Sequence, residues 1–540
     1  MKCRVVLSSF LICLLTLLVF PGRLAAQRSC EGLATLALTN ATITSAVSVP
    51  MGGFKPPASP GQPAPTVDLP AFCRVAGVAK PTADSEIKFE VWLPTSDWNG
   101  KFQQVGNGGF AGTIPLAAMA LPLLRGYASA GTDDGHAAGA DNSWAIGHPE
   151  KVADFGYRAV HETSVQAKTI VRAFYGKDLA RSYFVGCSDG GREALMEAQR
   201  FPDDFIGIVA GAPANFWTHL LTNAVWDEQA LLNDPAGWIP PAKLPVLQAA
   251  ALNACDALDG VKDGLIENPR RCHFDPAVIQ CKDADGPGCL TAPQVAAARK
   301  IYSGSKNPRT GEKIFPGFSP GTEGVPANWL LWTTGARPGQ PTVGSGFGNS
   351  FFADLVFANP KWDFHTLNFD GDVKTADDKF ASVLNSTNPN LRPFMARGGR
   401  MIQYHGWGDA AIPPQNSVNY YESVQAKMGK KTQDFYRLFM VPGMSHCAGG
   451  PGANVFGNGA AVPQADATND VVMALDRWVQ KGVAPDQIIA AGFVNGNPAK
   501  GVAMTRPLCP YPQEAHYKGT GDTNDAGNFV CQMPPKGSKQ

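Results

Sequence analysis

The chain has 540 residues with 46 basic and 46 acidic side chains, so no net field draws it to nucleic acid or to an anionic membrane. Glycine (58) and proline (44) are plentiful while charged residues make up only 17%, which excludes a polyelectrolyte tail and suits a loop-rich globular enzyme.

The opening stretch, "MKCRVVLSSFLICLLTLLVFPGRLAAQ", carries Lys2 and Arg4, an apolar run from Val5 to Phe20, and small residues ahead of Gln27. These are the three regions of a secretory signal peptide over 1–26. A retained anchor is the rival, but the run is shorter than the roughly 20 residues needed to cross hydrocarbon. Export makes the mature chain secreted or periplasmic, with no membrane attachment after cleavage. About 510 residues remain, more than one core usually supports. One large domain with an insertion, or two domains, is therefore expected.

From residue 86 apolar runs alternate with helical patterns. "IKFEVWLP", "KFQQVGNGGF" and "GYASAGTDDGH" read as strands running into turns, and "YRAVHETSVQAKTIVRAFYG" as a helix stopped by Gly176. "RSYFVGCSDGG" is a strand and turn, "REALMEAQRFP" a helix and "FIGIVAGAPA" a buried strand. The alternation predicts a mostly parallel sheet with helices on its faces, its first part over 27–214. Residues 215–385 lose the alternation and hold Pro, Gly, Asn, Trp and four cysteines. They read as an insertion rather than a disordered linker. The α/β pattern resumes over 386–540 with "GGRMIQYHGWGD", "SVNYYESVQAKMG", "DFYRLFMVPGMSHC" and "ATNDVVMALDRWVQKG".

Within that frame, Gly186-Cys187-Ser188-Asp189-Gly190 fits G-x-S-x-G with a strand before it and a helix after it. The glycines leave room for a sharp turn that holds a serine oxygen above the sheet. An ordinary strand-to-helix turn is the plainer reading. A nucleophilic serine needs a base and an orienting acid, which in this chain order come as acid, then histidine. Asp409 and His446 each end a predicted strand in that order. His405 and His136 compete for the base, but either also reads as a hydrogen-bonded structural histidine. For an oxyanion hole the Asp189 amide pairs with one from "VGNGGFAG", at Gly109. A plain hairpin turn at Asn107-Gly108 is the alternative.

Twelve cysteines, less Cys3 and Cys13 of the leader, leave ten, an even number for an exported chain. Local closure suggests Cys255–Cys272, Cys281–Cys289, Cys509–Cys531 and Cys30–Cys73, although spacing alone leaves connectivity open. Cys187 and Cys447 are left over, and each adjoins a candidate catalytic residue. If Ser188 and His446 touch, their neighbours come within disulfide reach, and a bridged sulfur cannot be the nucleophile. No CxxC pair or HExxH supports a zinc site. In "CDALDGVKDGLIENPRRC", Asp256, Asp259 and Asp263 offer oxygen ligands in a tight loop, which suits Ca²⁺, with the Val261 and Leu265 carbonyls completing the shell. A solvated acidic loop is the even-handed alternative.

These residues together resemble the tannase and feruloyl esterase family, which also takes in hydrolases of terephthalate monoesters. The resemblance rests on "VGNGGFAG", "GCSDGGREAL", "CDALDGVKDG", "HGWGDAAIPP", "GMSHC" and the cysteine pattern. It implies an α/β-hydrolase fold with a large lid inserted after the nucleophile-bearing half. It also implies a Ser188–His446–Asp409 triad, a Cys187–Cys447 bridge, oxyanion amides at Gly109 and Asp189, and a lid Ca²⁺ site on Asp256, Asp259, Val261, Asp263 and Leu265. The Asp189 side chain is expected to influence substrate choice. Trp332, Phe347 and Phe351 are candidates for substrate contact or for lid core. The function implied is a carboxylic ester hydrolase for small aromatic esters of the feruloyl, galloyl or terephthalate monoester type. A secreted binding protein on the same fold, or a serine peptidase or amidase, is the alternative.

Overall fold

The computed structural model describes residues 27–58, 65, 67–139, 141–459 and 462–534. The leader read over 1–26 lies outside them. A nine-stranded sheet runs through the molecule in the order β1-β2-β3-β5-β4-β6-β7-β8-β9. The strands are β1 (Ala41–Val49), β2 (Phe72–Ala79), β3 (Ile87–Pro94), β4 (Lys101–Val105), β5 (Ala128–Thr132), β6 (Arg181–Cys187), β7 (Gly207–Gly211), β8 (Arg400–Gly406) and β9 (Tyr436–Val441). From β5 to β9 every pairing is parallel. β1, β2 and β3 pair antiparallel at one edge. The sheet is thus mixed, and the expected parallel order gains an antiparallel margin that precedes the first recognised strand.

The parallel strands read as continuous apolar runs because both faces are covered. β5 and β7 are buried at every position. One face packs on helix Ala159–Tyr175, which ends at Gly176 with φ 66°, a left-handed cap that glycine adopts without Cβ strain. The other face takes helix Val471–Lys481, whose Leu475 and Trp478 join Tyr183, Ile402 and Phe439. This is the central mixed sheet, flanked by helices, of an α/β-hydrolase.

Between β7 and β8 the chain contributes no strand to the sheet. It forms helices and loops with two apolar clusters, one around Trp217, Phe351 and Phe352, which also takes in Val152, Phe155 and Ile412, the other around Leu247, Ile301 and Trp329, which also takes in Ala410. Beyond Gly482 the chain adds no further strand to the central sheet, although Ile488, Ala490 and Leu508 pack against Tyr183, Ile402 and Phe439. Ile488–Phe493 pairs with Val502–Leu508, and Glu514–Tyr517 with Phe529–Gln532, as two separate two-stranded sheets. The ten cysteines among the described residues are paired as Cys30–Cys73, Cys187–Cys447, Cys255–Cys272, Cys281–Cys289 and Cys509–Cys531. No helix among the described residues is long and apolar enough to cross a membrane.

Candidate active site

Ser188 sits between the end of β6 and helix Asp189–Arg200 with φ 67° and ψ −121°, a conformation L-residues rarely adopt. The glycines permit it. A Cβ at Gly186 would run into the Gly190 backbone, and one at Gly191 into the Gly211 carbonyl. The serine oxygen lies 2.9 Å from His446 Nε2, and His446 Nδ1 lies 2.7 Å from Asp409 Oδ2. Three loops at the carboxyl ends of β6, β8 and β9 thus bring together residues far apart in sequence. Cys187 and Cys447 flank this contact with Cα atoms 6.0 Å apart.

Asp409 is fully buried, and burial alone would push its carboxyl up. His446 and His405 together hold it well below the usual carboxylate range. Its Oδ1 accepts from the Ala411 and Ile412 amides at 2.7 and 2.9 Å, and its Oδ2 also meets His405 Nε2 at 3.1 Å. The His405 Nδ1 accepts from Ser417 Oγ at 2.7 Å, which makes Nε2 the donor toward Asp409. His405 is therefore bound to the acid from behind, not a rival base.

The loop after β4 lies against the start of helix Asp189–Arg200. Gly190 N donates to the Asn107 carbonyl at 2.9 Å, and Asn107 N to Glu193 Oε2 at 3.0 Å. From the other side His136 Nε2 meets the Phe110 carbonyl at 2.6 Å, its imidazole driven down to about 4 by burial. Between these anchors Gly109 adopts φ 61°. The Gly109 and Asp189 amides have no acceptor among the described residues, so both remain available to a ligand oxygen.

A profile described as "Tannase and feruloyl esterase" matches residues 73–532. The chain belongs to the tannase and feruloyl esterase family. An uncharacterized esterase of Xanthomonas campestris pv. campestris is 44% identical over 538 residues, covering 95% of this chain and 93% of the relative. The mono(2-hydroxyethyl) terephthalate hydrolase of Piscinibacter sakaiensis is 36% identical, with 86% of each chain covered. The crystal structure of feruloyl esterase B from Aspergillus oryzae superposes with a TM-score of 0.84 at 30% identity, covering 93% of this chain and 99% of that one. The protein is accordingly a carboxylic ester hydrolase.

Two aromatic side chains from the inserted segment wall this esterase's site. The Trp332 ring lies 5.3 Å from that of His446, and a Cβ added at Gly109 would meet the Phe347 ring at 3.1 Å. Phe351, by contrast, is wholly buried in the apolar cluster of the inserted segment. The Asp189 carboxylate departs from expectation. It is buried and accepts from Arg192 Nε at 2.5 Å, so it points into the protein and cannot select substrate. Arg192 also donates to the Phe155 and Gly156 carbonyls, which leaves it no freedom to release the acid.

In the acidic loop, Asp256 accepts from the Asp263 and Gly264 amides at 3.1 and 3.0 Å, and Asp259 from Val261 at 3.0 Å. Asp263 Oδ2 accepts from Arg506 at 2.6 Å. Among the described residues the Val261 and Leu265 carbonyls accept no hydrogen bond. Burial raises Asp259 and Asp263, and nearby Glu267 is pushed up to about 8. These carboxyls and two unused carbonyls share one loop, but no three of the carboxylates present ligand oxygens within 4.8 Å of one another.

Glu193 went unrecognised as part of this site, while His405 and His136, weighed as competing bases or as structural histidines, are hydrogen-bonded to Asp409 and Ser417 and to the Phe110 carbonyl. Each acts through a contact with a loop distant in sequence or across a turn, and no local motif marks such contacts.

Proposed function

We propose that this esterase is a secreted serine hydrolase of esters of aromatic acids, of feruloyl, galloyl or terephthalate monoester type, using Ser188, His446 and Asp409. The observation that carries this reading is the hydrogen-bonded series Ser188–His446–Asp409 (2.9 and 2.7 Å) beside two unoccupied amides and under Trp332 and Phe347. Aromatic walls favour an aromatic acyl group stacked over the carbonyl under attack.

In the first step Ser188 Oγ attacks the ester carbonyl as His446 Nε2 takes its proton. Asp409, ionised and fixed by four hydrogen bonds, keeps Nδ1 protonated and stabilises the imidazolium. The Gly109 and Asp189 amides receive the oxyanion without reorganising, because the Asn107 and Phe110 anchors already hold the loop. The intermediate collapses to an acyl-enzyme, and the alcohol leaves with the proton from His446. Water, deprotonated by the same imidazole, then releases the acid.

The lid loop Asp256, Asp259, Val261, Asp263 and Leu265 is the proposed Ca²⁺ site. There the ion would supply structural charge balance and no chemistry. Five disulfides support export to an oxidising compartment. Ser188→Ala should cut kcat on a chromogenic aromatic ester by at least about a thousandfold with an unchanged circular dichroism spectrum. Retained turnover in that variant would remove Ser188 from the mechanism.

A further inference from the structure

The inserted segment reaches the turn that presents Asp409. Asn328, only 1% exposed, donates from Nδ2 to the Gly408 carbonyl at 2.9 Å and to the Thr322 carbonyl at 3.2 Å. Thr322 Oγ1 donates to the same Gly408 carbonyl at 3.2 Å. That carbonyl shares a rigid peptide plane with the Asp409 nitrogen, so its direction sets where the acid's backbone begins. We propose that Asn328 is a positioning residue for ester cleavage, fixing the turn that carries Asp409 through the Gly408 carbonyl. The inserted segment then supports the catalytic acid as well as walling the site. The proposal rests on the reading of Ser188, His446 and Asp409 as the site of ester cleavage.

Three observations carry it. The first is that Asn328 is anchored on both sides of the site. Its own carbonyl accepts from the Leu331 and Trp332 amides at 3.0 and 2.9 Å, and the Trp332 ring lies against that of His446. One residue therefore joins the peptide ahead of the acid to the aromatic wall beside the base. The second is the backbone that aims it. Ala327 holds φ 63°, a left-handed conformation unfavourable for a residue with a Cβ, which persists only where the surroundings impose it. They do so here. Asn328 N donates to the Val325 carbonyl at 3.1 Å and Val325 N to that of Thr322 at 3.2 Å. Buried Glu323 accepts from Gly321 N at 3.0 Å and from the Tyr302 hydroxyl at 2.5 Å.

The third observation is the closeness of the two segments. A Cβ at Gly408 would lie 2.7 Å from Thr322 Cγ2, so only glycine lets the insertion approach this turn. Gly408 N donates in the other direction, to the Met444 carbonyl at 3.0 Å, two residues ahead of His446. The peptides on both sides of Gly408 are thus fixed, one to the loop of the base and one to the insertion. Without the Asn328 amide the Gly408 carbonyl keeps Thr322 Oγ1 as a donor, and the peptide ahead of Asp409 gains freedom to rotate. A carboxylate that must meet His446 Nδ1 at 2.7 Å tolerates little of that.

The test is a double-mutant cycle on the purified full chain with p-nitrophenyl acetate, whose acyl group is too small to depend on the aromatic wall. Asn328→Leu, similar in shape but without a donor, should lower kcat about 10- to 100-fold with KM changed less than about twofold. In an Asp409→Asn background the same substitution should change kcat less than about threefold, because the carboxylate it positions is gone. A residue that only stabilised the fold would cost the same factor in both backgrounds. Asn328→Ala gives the same comparison should the leucine variant not fold, with circular dichroism as the check on folding. An unchanged kcat in the folded Asn328 variants overturns the proposal, and so does a loss of equal size in both backgrounds. An Asp409→Asn variant as fast as the wild type would instead overturn the reading of the triad beneath it.

Discussion

Asp409 accepts hydrogen bonds from two amides and two histidines, and only one of those histidines touches the serine. The other, His405, is wholly buried and continues inward through Ser417 to Gln403, whose amide donates to Ser417 Oγ at 2.6 Å. This chain fixes the carboxylate's orientation from the side away from substrate. His405→Phe removes a donor to a buried anion, an interaction of about 1.5–3 kcal/mol. The expected result is a fall of about 10- to 100-fold in kcat with little change in KM. His405→Gln, which restores an N–H donor, should recover part of it. Equal kcat in the wild type and the Phe variant would make His405 a packing residue only.

At the scale of elements, the Cys187–Cys447 bridge joins the turn after β6 to the loop after β9 across 260 residues. Ser188 and Cys447 both hold positive φ, 67° and 63°, so each loop presents a strained residue where the bridge ties them together. Constraining so long a loop in the unfolded chain stabilises the fold by roughly 2–5 kcal/mol. Replacing both cysteines by serine should lower the urea midpoint accordingly and reduce kcat, because His446 then loses one of its restraints. A double variant with unaltered stability and turnover would deny the bridge that role. The glycine-rich "GCSDGG" and the distant "SHC" are thus two ends of one device, and both ends were recognisable as short motifs.

At the scale of the whole molecule, the two small sheets beyond Gly482 close over the acidic lid loop. Glu267 accepts from Ala515 N at 3.0 Å, Asp263 meets Arg506, and Val261 packs with Cys509, Ala515 and Phe529. The chain's last segment thereby clamps the insertion to the sheet domain. If the loop holds the proposed Ca²⁺, its loss should loosen both. Chelation by EGTA is expected to lower the melting temperature by several degrees, equivalent to about 1–3 kcal/mol, and added Ca²⁺ should restore it. Melting indifferent to chelator and to added calcium would leave the loop held by its hydrogen bonds and disulfide alone.

The sequence by itself determined the sharp turn at Ser188 and the alternation of strands and helices from β3 onward, and it marked Ser188, Asp409 and His446, which the fold brings into contact. Each of these is written in contiguous residues: a backbone angle only glycine neighbours permit, a period of apolar side chains, a capping glycine. The antiparallel margin of β1 and β2, the placement of β5 between β3 and β4, and the clamp formed by the final hairpins were decided by tertiary structure. So were the sorting of Trp332 and Phe347 to the site and Phe351 to the core, the inward turn of Asp189 and the pairing of His405 with Asp409. A side chain's neighbours across space depend on how the lid and sheet pack. Local chemistry leaves that packing open until the apolar faces are buried together.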